Sequence, residues 1–181
     1  MIVELRFFVN DISLLEEKFK EIQKEVLKGY SDIYFKPSII TSEWENAYKT
    51  LRLRTCCKKH RLLFSHIKLE EIRGFLVKRS LYSEDKLVLW RSNDKSEGIK
   101  LARDLGFEEW FSIVKSKAYS WKWPDGFEIY VEHIENLGWS GEIEVDIEKL
   151  DKELPRYLNL LDISLEALSP KPLAVLYRER G

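Results

Sequence analysis

Cysteine is almost missing from this 181-residue chain, and the two that occur, Cys56 and Cys57, are neighbours. Adjacent thiols are badly placed to staple distant segments, so the fold does not lean on disulfides and a reducing, cytoplasmic setting is expected. Glutamine occurs once, at Gln23, which leans towards a heat-adapted source. Long apolar runs are lacking too: Leu173-Ala174-Val175-Leu176-Tyr177 is far short of the ~20 residues a membrane helix requires. The opening Met1-Ile2-Val3-Glu4 has neither the basic nor the apolar region of a signal peptide. Excess charge of one sign is also absent, with 30 Lys and Arg against 31 Asp and Glu. No global field draws nucleic acid, so neither a nucleic-acid nor a membrane partner is expected. The chain has no P-loop, GxSxG, zinc or dinucleotide motif. His60, His66 and His133 are scattered, and no histidine stands beside the cysteine pair to activate a thiolate.

What is present is apolar and aromatic. A hydrophobic fraction of 44% with six Trp, eight Tyr and nine Phe excludes disorder. The length suits one domain spanning residues 1–181. Alternation and β-branching predict strands over residues 2–9, 33–35, 49–57, 61–68, 74–82, 87–91, 113–123, 127–134 and 141–145. Asn10 or Asp11 can cap a helix carrying Leu14, Leu15, Phe19, Ile22 and Val26, with Gly29 as its stop. Further helices are expected over residues 96–105 and 147–161, the second broken or kinked at Pro155. The chain is therefore α+β. Sequential strands with short turns favour antiparallel pairing, and about eight of them can close into a β-barrel with flanking helices.

The charges follow the strand period. Glu4 and Arg6 share one face, as do Arg52 and Arg54, Lys115 and Lys117, and Glu142 and Glu144. His66 with Lys68 and Glu128 with Glu132 repeat the pattern. If the apolar faces pack beneath helices, the charged faces line a common lumen. Guanidinium and ammonium groups suit phosphate oxygens. Carboxylates about 7 Å apart on a strand suit a hard cation such as Mg²⁺ or Mn²⁺. A plain solvated sheet face with cross-strand Glu–Arg pairs would show the same alternation. Trp121 and Trp123 read as packing residues rather than a base-stacking platform.

In this order, the segments resemble the CYTH superfamily, the triphosphate tunnel metalloenzymes that include thiamine triphosphatases and class IV adenylate cyclases. Ile2-Val3-Glu4-Leu5-Arg6 is similar to the family's opening Glu-x-Glu-x-Lys strand, and Asp32-Ile33-Tyr34-Phe35 to its Asp-x-Tyr-Phe. Leu51 to Arg54 resembles its Leu-Arg-Ile-Arg strand, Lys68 the lysine of the next strand, and Lys115-Ser116-Lys117 its basic strand. Glu132 to Gly138 with Glu142-Ile143-Glu144 resembles the family's ending. Two departures stand out: Ile2 replaces the first acid and Arg6 replaces lysine.

The resemblance implies an eight-stranded antiparallel tunnel that hydrolyses a triphosphate, inorganic or organic (thiamine triphosphate, for example), with Mg²⁺ or Mn²⁺. Its implied phosphate ligands are Arg6, Arg52, Arg54, Lys68, Lys115 and Lys117. Glu4, Glu132, Glu142 and Glu144 are the implied metal ligands, and Glu4, Arg6 and Lys68 the implied catalytic residues. Two alternatives stay open: a class IV adenylate cyclase converting ATP to cyclic AMP, and a polyphosphate or nucleotide binder without turnover, which Ile2 favours. Pairing of two barrels into a homodimer is compatible with the chain.

Overall fold

A computed structural model describes residues 2–180. Nine strands are all paired antiparallel. They are β1 (Ile2–Val9), β2 (Gln23–Pro37), β3 (Lys49–Cys56), β4 (Lys59–Ile72), β5 (Phe75–Ser80), β6 (Leu87–Ser92), β7 (Phe107–Lys122), β8 (Glu128–Ile134) and β9 (Gly138–Asp146). Eight of them form a closed ring in the order β3-β2-β7-β8-β9-β1-β5-β4, sealed by β4 against β3, while β6 pairs outside the ring with β4. The expected eight-stranded barrel is therefore present, with one strand added. Five helices surround it: α1 (Ile12–Lys18), α2 (Ser42–Glu45), α3 (Lys95–Asp104), α4 (Leu150–Leu161) and α5 (Leu173–Arg180).

The strand period sorts side chains between two environments. Val3, Leu5 and Phe7 of β1, Ile129 and Val131 of β8 and Ile143 and Val145 of β9 are buried together outside the ring. Over them lie Leu15 of α1 and Leu150, Leu154, Tyr157 and Leu161 of α4. A second apolar cluster, Phe35, Leu51, Leu53 and Leu62, packs under Ala102 of α3. The main cores thus lie between barrel and helices, and the alternate positions, charged and polar, are turned into the lumen. Such an arrangement needs long helices with one apolar stripe, which the 4-3-4 spacing of the buried α4 residues supplies. Pro155 is exposed and the helix runs through it without a break.

Three expectations need correction. The first helix ends at Lys18, and Gln23 to Gly29 belong to β2. Phe19 closes the helix and is buried edge-on against Trp121 and Trp123 at 5.5 and 5.2 Å. Val26, expected on the apolar helix face, is 66% exposed on a strand paired with β7. Long-range pairing from Gln23↔Lys122 to Lys28↔Lys117 overrides the local helical spacing.

Gly29 is therefore not a helix stop. It lies opposite a bulge in β7: Lys115 pairs with Ile134 and Lys117 with His133, so Ser116 is an extra residue. A Cβ on Gly29 would stand 2.0 Å from the Lys115 carbonyl oxygen and 2.4 Å from that of Ser116. Gly29→Ala must push backbone aside, and we expect it to lower stability by about 1–3 kcal/mol, measurable as an earlier urea midpoint with an unchanged slope.

The second correction is α5, read in the sequence only as a short apolar run. Its Leu173 and Ala174 pack with Tyr34, Ala47, Ile113 and Ile134 at one end of the lumen. The backbones of Ser169 and Arg6 bridge the preceding segment to β1 with hydrogen bonds of 2.9 and 2.7 Å. Third, α2 (Ser42–Glu45), which buries Trp44, had no counterpart in the sequence reading. No helix among the described residues is long and apolar enough to cross a membrane.

Candidate functional site: a charged barrel lumen

A cavity of about 1040 Å³ occupies the lumen and opens at one end past Phe127, Glu153 and Arg156. Glu4, Arg6, Arg52, Arg54, Lys115, Glu132, Glu142 and Glu144 all line it. Each is placed by strand parity: Glu4 pairs across β1 and β9 with Glu144, and Arg6 with Glu142. The structure also brings in residues that the sequence reading did not single out, namely Lys78, Tyr30 and Tyr130.

Lys68 and Lys117 are not brought in. In the β4–β5 hairpin Lys68 pairs with Arg79 and Leu69 with Lys78, so Lys78 takes the inward parity and Lys68 the outward one. Lys68 instead pairs with Glu70 at 3.2 Å. Lys117 lies beyond the β7 bulge, exposed, with its ammonium 5.4 Å from the Trp139 ring centre. The signal for Lys78 was the alternation in Val77-Lys78-Arg79: Val77 is fully buried outside the ring, so its neighbour must face inward. The helical spacing that runs up to Gly29 hides Tyr30, which belongs to β2.

The charges form a chain through the barrel. Glu132, 4% exposed, sits at its centre. Its Oε1 is 2.7 Å from Lys115 Nζ and 3.7 Å from Arg6 Nη1. Its Oε2 accepts from the hydroxyls of Tyr30 and Tyr130, both at 3.3 Å. Lys115 also donates to Tyr30 Oη at 2.7 Å. Burial holds the Lys115 ammonium below its ordinary pKa, despite Glu132, and raises both tyrosines. With both oxygens committed inside the protein, Glu132 is the hub of the lumen.

Towards β9, Arg6 reaches Glu142 Oε1 at 2.9 Å and donates to Ser140 Oγ at 2.8 Å. Lys78 Nζ lies 2.6 Å from Glu142 Oε1 and forms a close ion pair with Glu4. Burial opposes the charge on Glu142, but Arg6 and Lys78 outweigh it and hold the carboxyl well below the usual range. For Glu4 burial prevails over Lys78, and its pKa rises. Glu144 is raised as well, by partial enclosure and then by the charges of Glu4 and Glu142. It makes no ion pair among the described residues.

On the β2–β3 side Arg54 holds Asp32 in a bidentate pair, Nε to Oδ1 at 2.8 Å and Nη2 to Oδ2 at 2.7 Å. Arg52 is different. It donates one hydrogen bond, to Tyr34 Oη at 3.2 Å, and its Nε is buried with no partner, 4.0 Å from Asp32. Arg6 Nε is also buried and unpartnered.

These shifts have signs that a melting curve can read. Asp32 and Glu142 have folded-state pKa values below the ordinary range. Their contribution is fully present above that range and is lost as pH falls through the folded values. Glu4 and Glu144, with raised values, work the other way and favour the folded state as they protonate. Tm should hold or rise slightly down to about pH 4 and then fall steeply. Glu142→Gln should flatten the acid limb.

Hard carboxylate oxygens are the right donor type for Mg²⁺ or Mn²⁺. Their arrangement, however, encloses the Lys78 ammonium. Among the described residues no group of three or more His, Cys, Asp or Glu is placed to hold a metal ion.

A closed antiparallel barrel with a charged lumen defines the fold class. The chain is similar in structure to the PH1819 protein of Pyrococcus horikoshii, with TM-score 0.69, 19% identity and full coverage of both chains. It is also similar to a putative adenylate cyclase of Vibrio parahaemolyticus, with TM-score 0.62, 14% identity and 97% of each chain covered. A third match is HpAC1 of Hippeastrum, described as a putative adenylyl cyclase that reveals a dominant triphosphatase activity. It has TM-score 0.59 and 14% identity, covering 98% of this chain and 94% of that one. At these identities the likeness is one of fold, and it is the fold expected from the sequence resemblance. No protein-family model matches the chain, and no curated protein matches it.

Proposed function

We propose that the lumen binds the triphosphate group of a small molecule and hydrolyses its terminal phosphoanhydride. The observation that carries this is Arg52: its side chain is 18% exposed, lines the cavity and makes one hydrogen bond to protein. Its Nη2 makes no hydrogen bond among the described residues and can donate to an anionic oxygen in the cavity. Arg6, Arg54, Lys78 and Lys115 line the same cavity and can share their charge with further oxygens. Phosphoryl transfer has a loose transition state, so neutralising and aligning the chain of phosphates is most of the work. Water adds to the terminal phosphorus, the bridging oxygen leaves with the diphosphate, and a proton is released. Glu144, unpaired and of raised pKa, is the acid best placed to accept it.

Ile2 favours a second reading, binding without turnover. It is 53% exposed at the position where the resemblance has an acid. Inorganic triphosphate, thiamine triphosphate and ATP, each offered with EDTA, Mg²⁺ or Mn²⁺, separate the readings. Phosphate release supports hydrolysis, cyclic AMP supports a cyclase, and tight binding with neither supports the binder. Equal affinity for phosphate and triphosphate would sink all three.

A further inference from the structure

The acid end of the lumen already contains a cation. We infer that the Lys78 ammonium is a tethered counter-ion that takes, between Glu4 and Glu142, the place a divalent metal ion would occupy. Three separate features converge on it. The first is register: Lys78 is the cross-strand partner of Glu4 in β5 and β1, and Glu144 is the partner of Glu4 in β1 and β9. The three carboxylates are therefore gathered around one β1 position.

The second is contact. Lys78 Nζ is ion-paired with Glu4 Oε2 and with Glu142 Oε1, and its side chain is only 14% exposed. An ammonium is a compact point charge with three donors and no acceptor, so it can bridge two or three carboxylates as a hard cation does. The third is charge. Burial alone would lower the Lys78 pKa, yet Glu142 and Glu4 outweigh it and keep the group cationic. Lys78 and Arg6 together offset two of the three carboxylates, leaving Glu144 uncommitted.

A divalent ion at this point would have to evict Lys78 from the lumen wall. Both acids that pair with the ammonium would then serve the metal, and the lysine would be left enclosed and unpaired. Ile2 supplies no compensating donor where the resemblance expects one. The lumen therefore presents triphosphate with Lys78 in place and has no vacancy for Mg²⁺ or Mn²⁺ among Glu4, Glu142 and Glu144. This bears on how the site of the proposed triphosphate chemistry is neutralised, but the metal question can be put without any triphosphate.

The test is calorimetric titration of the full chain with MnCl₂ alone, checked by the electron paramagnetic resonance of free Mn²⁺. Wild type should show no site tighter than millimolar. Lys78→Met, which keeps the length and removes the charge, should gain one Mn²⁺ site at least tenfold tighter. Adding Glu142→Gln to it should abolish that site, and Lys78→Arg should gain none. Stoichiometric micromolar Mn²⁺ binding by wild type, lost in Glu4→Gln, would overturn the inference, as would equal affinity in wild type and Lys78→Met. If Lys78→Met does not fold, the wild-type titration and Lys78→Arg still decide. A failure of triphosphate to bind leaves these Mn²⁺ results unaffected, so the two readings fall separately.

Discussion

Glu132→Ala is expected to destabilise the protein by about 3–5 kcal/mol, the scale of removing one partner from a buried ion pair. Glu132 is 4% exposed and faces two buried cations, Lys115 and Arg6, as well as the hydroxyls of Tyr30 and Tyr130. Arg6 keeps Glu142 at 2.9 Å when Glu132 is gone. Lys115 keeps no acid within 4.0 Å among the described residues, and its ammonium, already disfavoured by burial, is left uncompensated. Most of the loss should therefore come through Lys115. The double variant Lys115→Met, Glu132→Leu removes both charges and should recover a large part of it, since apolar replacement of a buried pair is often near neutral. Urea unfolding of Lys115→Met, Glu132→Leu and the double variant measures the coupling. Additive effects would show that Glu132 is not the hub described.

The lumen was legible in the sequence to the extent that strand parity was. In β1, β3 and β9 the apolar residues Val3, Leu5, Leu51, Leu53, Ile143 and Val145 are all buried. Once they pack under helices, Glu4, Arg6, Arg52, Arg54, Glu142 and Glu144 have one face left. Parity failed where a strand was not regular or its register was open. In β7 the bulge at Ser116 turns Lys117 outward while leaving Lys115 inside, and a bulge leaves no trace in an alternation count. Gly29, on the neighbouring strand β2, was the trace.

In the β4–β5 hairpin a one-residue choice decides whether Lys68 or Lys78 faces the cavity, because a single step exchanges the two faces. The helix–strand error over Gln23 to Gly29 has another origin: two charged, solvent-facing strands hold each other through pairing and ion pairs such as Lys122 with Glu25 at 3.0 Å. Neither partner shows that in isolation. The helix α5 was missed for want of periodicity in eight residues, although Pro172 at its start is a common helix opening.

Arg52→Ala carries the functional claim, and its expected effect is on binding rather than stability. Arg54 spends its guanidinium on Asp32, and Arg6, Lys78 and Lys115 are each paired with a carboxylate. A triphosphate meeting those groups must compete with acids already in place, so each returns only part of a charge-assisted hydrogen bond. Arg52 has no acid closer than 4.0 Å. It should make the largest single contribution, about 1.5–3 kcal/mol, or a roughly 10- to 150-fold rise in Kd for inorganic triphosphate. Stability should change little, because Tyr34 Oη is the sole hydrogen-bond partner lost. Raising salt should weaken binding in wild type more than in the variant, since the screened interaction is the one removed. Calorimetry at two ionic strengths reads both effects. Were Arg52→Ala to bind triphosphate as tightly as wild type while Arg54→Ala did not, the phosphate chain would have to displace Asp32, and the lumen's unspent charge would lie elsewhere than at Arg52.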